Sequence, residues 1–103
     1  MVIVHLGRNL RFHRGILMAF KIEWLVSEEN AIVLRVCGWV DLECLNTLKE
    51  LIEAENGRIV LDLSEVMLAD RDAATFFAIC EIKGIELRNC PTFLRLSVVK
   101  EVI

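Results

Sequence analysis

The chain has a single proline in 103 residues, and no apolar run reaches the roughly 18 residues that a membrane-spanning helix needs. The second absence argues against a protein that inserts directly into a bilayer through helices. The first, with a hydrophobic content of 55%, argues against a disordered polypeptide and for a compact fold. The length suffices for one core and not for two.

Histidine is also scarce. His5 and His13 both lie near the N-terminus. Ser64 and Thr75 therefore have no histidine base nearby in sequence, and serine-type hydrolysis lacks its usual proton acceptor. Ser64 is expected to bond backbone at a strand end, and Thr75 to bond a carbonyl one helical turn back. Cys37, Cys44, Cys80 and Cys90 show no Cys-x-x-Cys spacing, and the histidines are too distant to complete a zinc set. Each cysteine sits in an apolar or amphipathic pattern, where a thiol behaves as a small hydrophobe. Reduced, buried thiols in a cytoplasmic protein are the expectation, with no metal and no cofactor.

Positive charge is in short supply outside one segment. Residues 1–17 hold Arg8, Arg11 and Arg14 with no acid, and so carry +3 of a net −3; the remainder carries −6. So acidic a domain does not suit a phosphate backbone, and nucleic acid is not an expected partner. The leader has arginines in its middle, no continuous apolar core and no small-residue cleavage site, so it matches no signal peptide. Met1 to Leu6 is compatible with a strand. The plainer reading is an N-terminal extension over 1–17, ahead of a natural start at Met18, with the domain spanning 18–103.

What is present is ordered alternation. Phe20 to Glu28 reads as a strand, Glu29-Asn30 as a tight turn and Ala31 to Val40 as a second strand, together a hairpin with a bend at Gly38. Asp41 is placed to cap a helix whose Leu42, Leu45, Leu48, Leu51 and Ile52 recur at helical spacing. Asn56-Gly57 is expected to stop it, with Gly57 left-handed. Ile59 to Leu63 is an almost unbroken apolar run, hence a central strand covered on both faces. A short apolar loop follows, and Asp70 opens a second helix that ends at Lys83-Gly84. Ile85 to Cys90 is a fourth strand, and after Pro91 a last helix points Phe93, Leu96, Val99 and Val102 inward. Leu34, Leu45, Leu48, Leu61, Leu63, Phe76, Ile79 and Leu87 form the predicted core. The fold class is α/β: a sandwich with a mixed four-stranded sheet and about three helices, its parallel crossovers right-handed.

The stretch Arg58-Ile-Val-Leu-Asp62-Leu-Ser64, with an acidic pair Asp70 and Asp72 opening the next helix, resembles the STAS domain (sulfate transporter and anti-sigma factor antagonist). In that family a strand reads Val-Val-Leu-Asp-Leu-Ser, and an Asp-Ser-Ser-Gly motif follows at a helix start. Asp62, Ser64 and Asp70 match without a gap. Asp72 stands where the family carries its regulatory phosphoserine, and Ala73 replaces the glycine. Gly38 and Arg88-Asn89-Cys90-Pro91 add support over residues 20–99, although the family usually adds one more strand and helix.

The resemblance implies a non-enzymatic, bacterial signalling module for transcription regulation, similar to an anti-sigma factor antagonist. Its partner would be an anti-sigma factor of serine-kinase type, docking at Asp70, Arg71, Asp72 and Ala73 with Ser64 and Trp39 nearby. The resemblance also allows a cytoplasmic subunit that clamps the ATPase of a phospholipid-transporting ABC complex. Asp72 offers no hydroxyl, so phosphorylation there is excluded. Its single charge either complements the helix dipole or weakly imitates phosphoserine. Trp39 fits two roles, a half-exposed interface anchor or a ring plugging the sheet end. A third class, a nucleotide or acid/base site on Asp62 and Asp70 at the sheet's C-terminal edge, lacks a phosphate-binding loop and a third ligand.

Overall fold

The computed structural model describes residues 3–6, 10–13 and 16–102, with side chains described over 20–100. Its elements are β1 (Ile3–Leu6), β2 (Leu10–His13), β3 (Ile16–Val26), β4 (Ile32–Val40), α1 (Leu42–Glu53), β5 (Ile59–Ala69), α2 (Arg71–Ile82), β6 (Glu86–Arg88) and α3 (Thr92–Val102). The sheet order is β1-β3-β4-β5-β6, with β2 paired to the first part of β3. β3 and β4 form an antiparallel hairpin, and β4-β5 and β5-β6 are parallel, so the expected mixed α/β sheet with three helices is present. β3 begins at Ile16, β1 pairs residues 22–25 of it, and β2 pairs residues 16–19.

Local chemistry explains the joints. At the hairpin turn Asn30 is left-handed (φ 63°), and Ser27 Oγ accepts from the Ala31 amide at 3.0 Å. Asp41 caps α1 as expected, its carboxylate accepting from the Cys44 amide at 2.9 Å. α1 closes at Ala54, earlier than Asn56-Gly57, and Gly57 is not left-handed. α2 ends on Gly84 (φ 93°), where the Gly84 and Ile85 amides donate back to Glu81 and Cys80 in the paired pattern of a left-handed helix stop.

All three helices cover one sheet face. Cys44, Leu45 and Leu48 of α1, Ala73, Ala74, Phe77, Ala78 and Cys80 of α2, and Leu94 and Val98 of α3 join Ile22, Leu34, Leu61 and Leu63 in one core. Leu25, Ala31, Val33 and Val60 form a smaller cluster. Two expectations fail here. Phe77 is fully buried, whereas Phe76 and Leu87 are half-buried at the core margin and Ile79 is 47% exposed. In α3 the inward pair is Leu94 and Val98, while Phe93, Leu96 and Val99 are exposed. Both helices are apolar on more than one face, so periodicity alone left their rotation open.

Candidate functional site

The expected loop after Leu63 is strand. β5 continues to Ala69 beside β4, and it is lengthened by two irregularities. Between the pairs Arg35↔Asp62 and Cys37↔Glu65, and again between Gly38↔Val66 and Trp39↔Leu68, β5 spends one residue more than β4. Such extra residues break the alternation of inward and outward side chains. Val66 is buried, but Met67 is 76% and Leu68 52% exposed.

Asp70 follows at the strand end, its amide donating to the Val40 carbonyl at 2.9 Å. It occupies the cap position of α2 by backbone geometry, and its carbonyl receives the Ala73 amide. Its carboxylate does not cap the helix; it accepts the Trp39 indole N–H at 2.7 Å. Trp39 is half-buried and pairs with Leu68 across the strands, so the ring is tied to the helix start. Arg71, Asp72 and Thr75 are exposed on the first turns, and Ala73 is buried. Asp72 stands where exposed N–H groups of the helix start favour a negative charge. The structure thus gathers Trp39, Leu68, Asp70, Arg71 and Asp72 at one end of the sheet.

Asp62 and Ser64 belong elsewhere. Leu61 and Leu63 enter the helix-side core, which sends Asp62 to the opposite face. Asp62 is 6% exposed, and its carboxylate accepts from the Ser64 amide at 3.0 Å, Arg35 Nε at 3.3 Å and Asn89 Nδ2 at 3.5 Å. Burial pushes this carboxyl up, but the Ser64 amide and hydroxyl, Arg35 and Asn89 outweigh it and hold it below the ordinary range. Arg35 also reaches Glu23 at 3.6 Å, so the cluster ties β3, β4 and β5 together. By register Asp62 and Ala69 lie opposite Arg35 and Val40, which are five residues apart on β4, so Asp62 and Asp70 are on the order of 20 Å apart. A joint acid/base or metal site on these two carboxylates is ruled out by that distance. Among the described residues no group of three or more His, Cys, Asp or Glu could hold a metal ion.

The thiols vary in environment. Burial pushes Cys44 up to about 12 and Cys80 up to about 11. Cys44 lies in the first turn of α1, where a helix start would favour a thiolate, and burial beside Asp41 overrides that effect. Cys37 and Cys90 are half-buried rather than buried.

Sequence reasoning missed Met67 and Leu68, because the apolar run Val66-Met67-Leu68-Ala69 carries no periodic signal that tells its buried residue from its exposed ones. An open groove of about 360 Å³ was missed as well; Ala69, Asp70, Arg71 and Ala74 line it from one side, and Phe93, Leu94, Ser97 and Lys100 from the other. No described helix is long and apolar enough to cross a membrane.

No family model matches the chain, and no curated protein matches it. Among solved structures it is similar to one described as the crystal structure of an antisigma-factor antagonist, a STAS domain from Rhodobacter sphaeroides. The identity is 19%, the match covers 67% of this chain and 83% of that one, and the TM-score is 0.45.

Proposed function

We propose that the chain is a non-enzymatic, cytoplasmic protein–protein interaction module of STAS type, similar in role to an anti-sigma factor antagonist, and that it binds its partner at the start of α2. One observation carries the reading. Met67 and Leu68 are bared by strand irregularities beside the Trp39–Asp70 bond and the acidic helix start. An apolar pair flanked by a half-buried indole and exposed acids has the make-up of an interface centre with a polar rim. Asp72 cannot carry a phosphate ester, so this module is not switched at that position by a serine kinase.

The test is comparative affinity capture with the full chain. Met67→Asp combined with Leu68→Asp is expected to lose the proteins that the natural chain captures. Ile82→Asp, at an equally exposed residue on the far end of α2, should keep them. Equal capture by all three chains overturns the proposal. The captured protein also separates the partner classes, a serine-kinase-type anti-sigma factor from an ABC ATPase.

A further inference from the structure

The strand registers leave part of the sheet edge open. β6 pairs only Val60, Leu61 and Asp62 of β5. There Asn89 turns left-handed (φ 57°) and Pro91 leads the chain into α3, whereas β5 continues to Ala69. Beyond Asp62, β5 has β4 on one side and no strand on the other among the described residues. The Ser64 amide is taken by the Asp62 carboxylate; over residues 65–69 the backbone N–H and C=O groups aimed at that side are obligatory hydrogen-bonding groups with no strand partner among the described residues.

The groove between the start of α2 and α3 meets this open edge at Ala69. α3 runs antiparallel to α2, with Arg95 paired to Glu81 at the C-terminal end of α2 and Lys100 lining the groove together with Arg71 at its start. Ala69, Ala74, Phe93 and Leu94 supply apolar walls, and Phe93 is 49% exposed. Arg71 and Lys100 enter no ion pair among the described residues, so two free cations stand at one end of the groove. Met67 and Leu68, also exposed, lie on the open strand itself.

We propose that the open edge of β5 over residues 65–69 receives an extended segment of the partner protein. This segment adds as a strand beyond the end of β6, places an apolar side chain against Phe93 and Ala74, and sets an acidic side chain between Arg71 and Lys100. The site deepens the interaction module proposed above and rests on that reading. Three needs converge on this occupant: unpaired backbone requires a strand, the walls require an apolar side chain, and the cations require a carboxylate. A helix or a small anion would meet only one or two of them. The irregularities in β5 twist its edge and limit the added strand to a few residues, which suits a short peptide and disfavours open-ended stacking of sheets.

The probe is a displayed library of random twelve-residue peptides, selected on the full chain. Enriched sequences should alternate apolar and polar residues and carry Asp or Glu near one end. A synthetic peptide of the leading sequence should slow amide hydrogen exchange at residues 65–69. The same peptide N-methylated at alternate residues keeps its side chains but loses strand hydrogen bonds, and should bind about tenfold or more weakly. Arg71→Glu combined with Lys100→Glu should weaken the unmodified peptide by a similar factor. A library without enrichment, an N-methylated peptide that binds equally, or protection confined to other residues overturns the strand site. None of these outcomes touches the module reading, which is decided by the capture comparison with the Met67 and Leu68 variants.

Discussion

Asp72 is the residue on which the proposed switching behaviour of this module turns. As a complement to the helix dipole it contributes modestly, so Asp72→Asn should cost a few tenths to about 1 kcal/mol in chemical denaturation. Partner affinity should then be unchanged. If the charge instead imitates phosphoserine and holds the partner off, Asp72→Ala and Asp72→Ser should bind the captured partner more tightly than the natural chain. Asp72→Ser with Ala73→Gly would restore the motif and offer a hydroxyl to a cognate kinase. Equal affinities throughout remove the mimicry, and loss of binding in Asp72→Ala makes the acid a direct contact. Asp62 behaves differently because it is buried. Its carboxyl lies below its unfolded value, so its contribution is fully present above about pH 4 and is lost as pH falls through the folded value. Asp62→Asn should therefore lower stability at neutral pH and flatten its decline below about pH 4, as followed by urea denaturation at stepped pH. A parallel decline in both chains would show that Arg35 and the Ser64 amide do not hold the carboxylate. Cys44 and Cys80, raised to about 12 and 11, should resist a thiol reagent at pH 8 until the chain unfolds.

At the scale of elements, the sequence shows where structure forms better than which way it faces. Asp41, Gly38, Asn30 and Gly84 announce a cap, a bend and two turns through chemistry that acts within a few residues, and each is found there. The rotation of α2 depends on tertiary packing. Ala73, Ala74, Phe77, Ala78 and Cys80 make the buried stripe because small residues let the helix approach the sheet, while Phe76 and Ile79 are displaced outward. Phe77→Ala should cost about 3–5 kcal/mol, and Phe76→Ala only about 1 kcal/mol because its ring is half-buried. Urea denaturation of the two variants checks this, and the reverse order would mean that the helix is rotated. β5 was the harder case. Its first five residues read as a buried strand, but the two extra residues opposite β4 erase the alternation in 64–69, and an extended edge looked like a loop. A loop there would let Asp62 and Asp70 approach each other, whereas the strand holds them apart and exposes Met67 and Leu68.

For the whole molecule, the fold class and the position of the candidate site follow from one topology. The parallel crossover through α1 places the ends of β4 and β5 side by side, so Trp39 meets Asp70 although they are 31 positions apart in sequence. That meeting was only half legible, since Trp39 read equally well as a core plug. The helix-side core draws its described side chains from Phe20 to Val98, so a chain beginning at Met18 is expected to keep cooperative unfolding while losing β1 and β2 and the first two residues of β3. Thermal melts of the two chains check this. Two indole signals in a nitrogen-15 spectrum of the full chain report on the proposed interface. Trp39 Nε1 is bonded to Asp70 at the proposed interface, and Trp24 Nε1 to Glu55 after the far end of α1. As the captured partner is titrated to saturation, the Trp39 signal should shift or broaden and the Trp24 signal should hold its place. Saturated binding that moves Trp24 and leaves Trp39 untouched would put the interface elsewhere and contradict the proposed site.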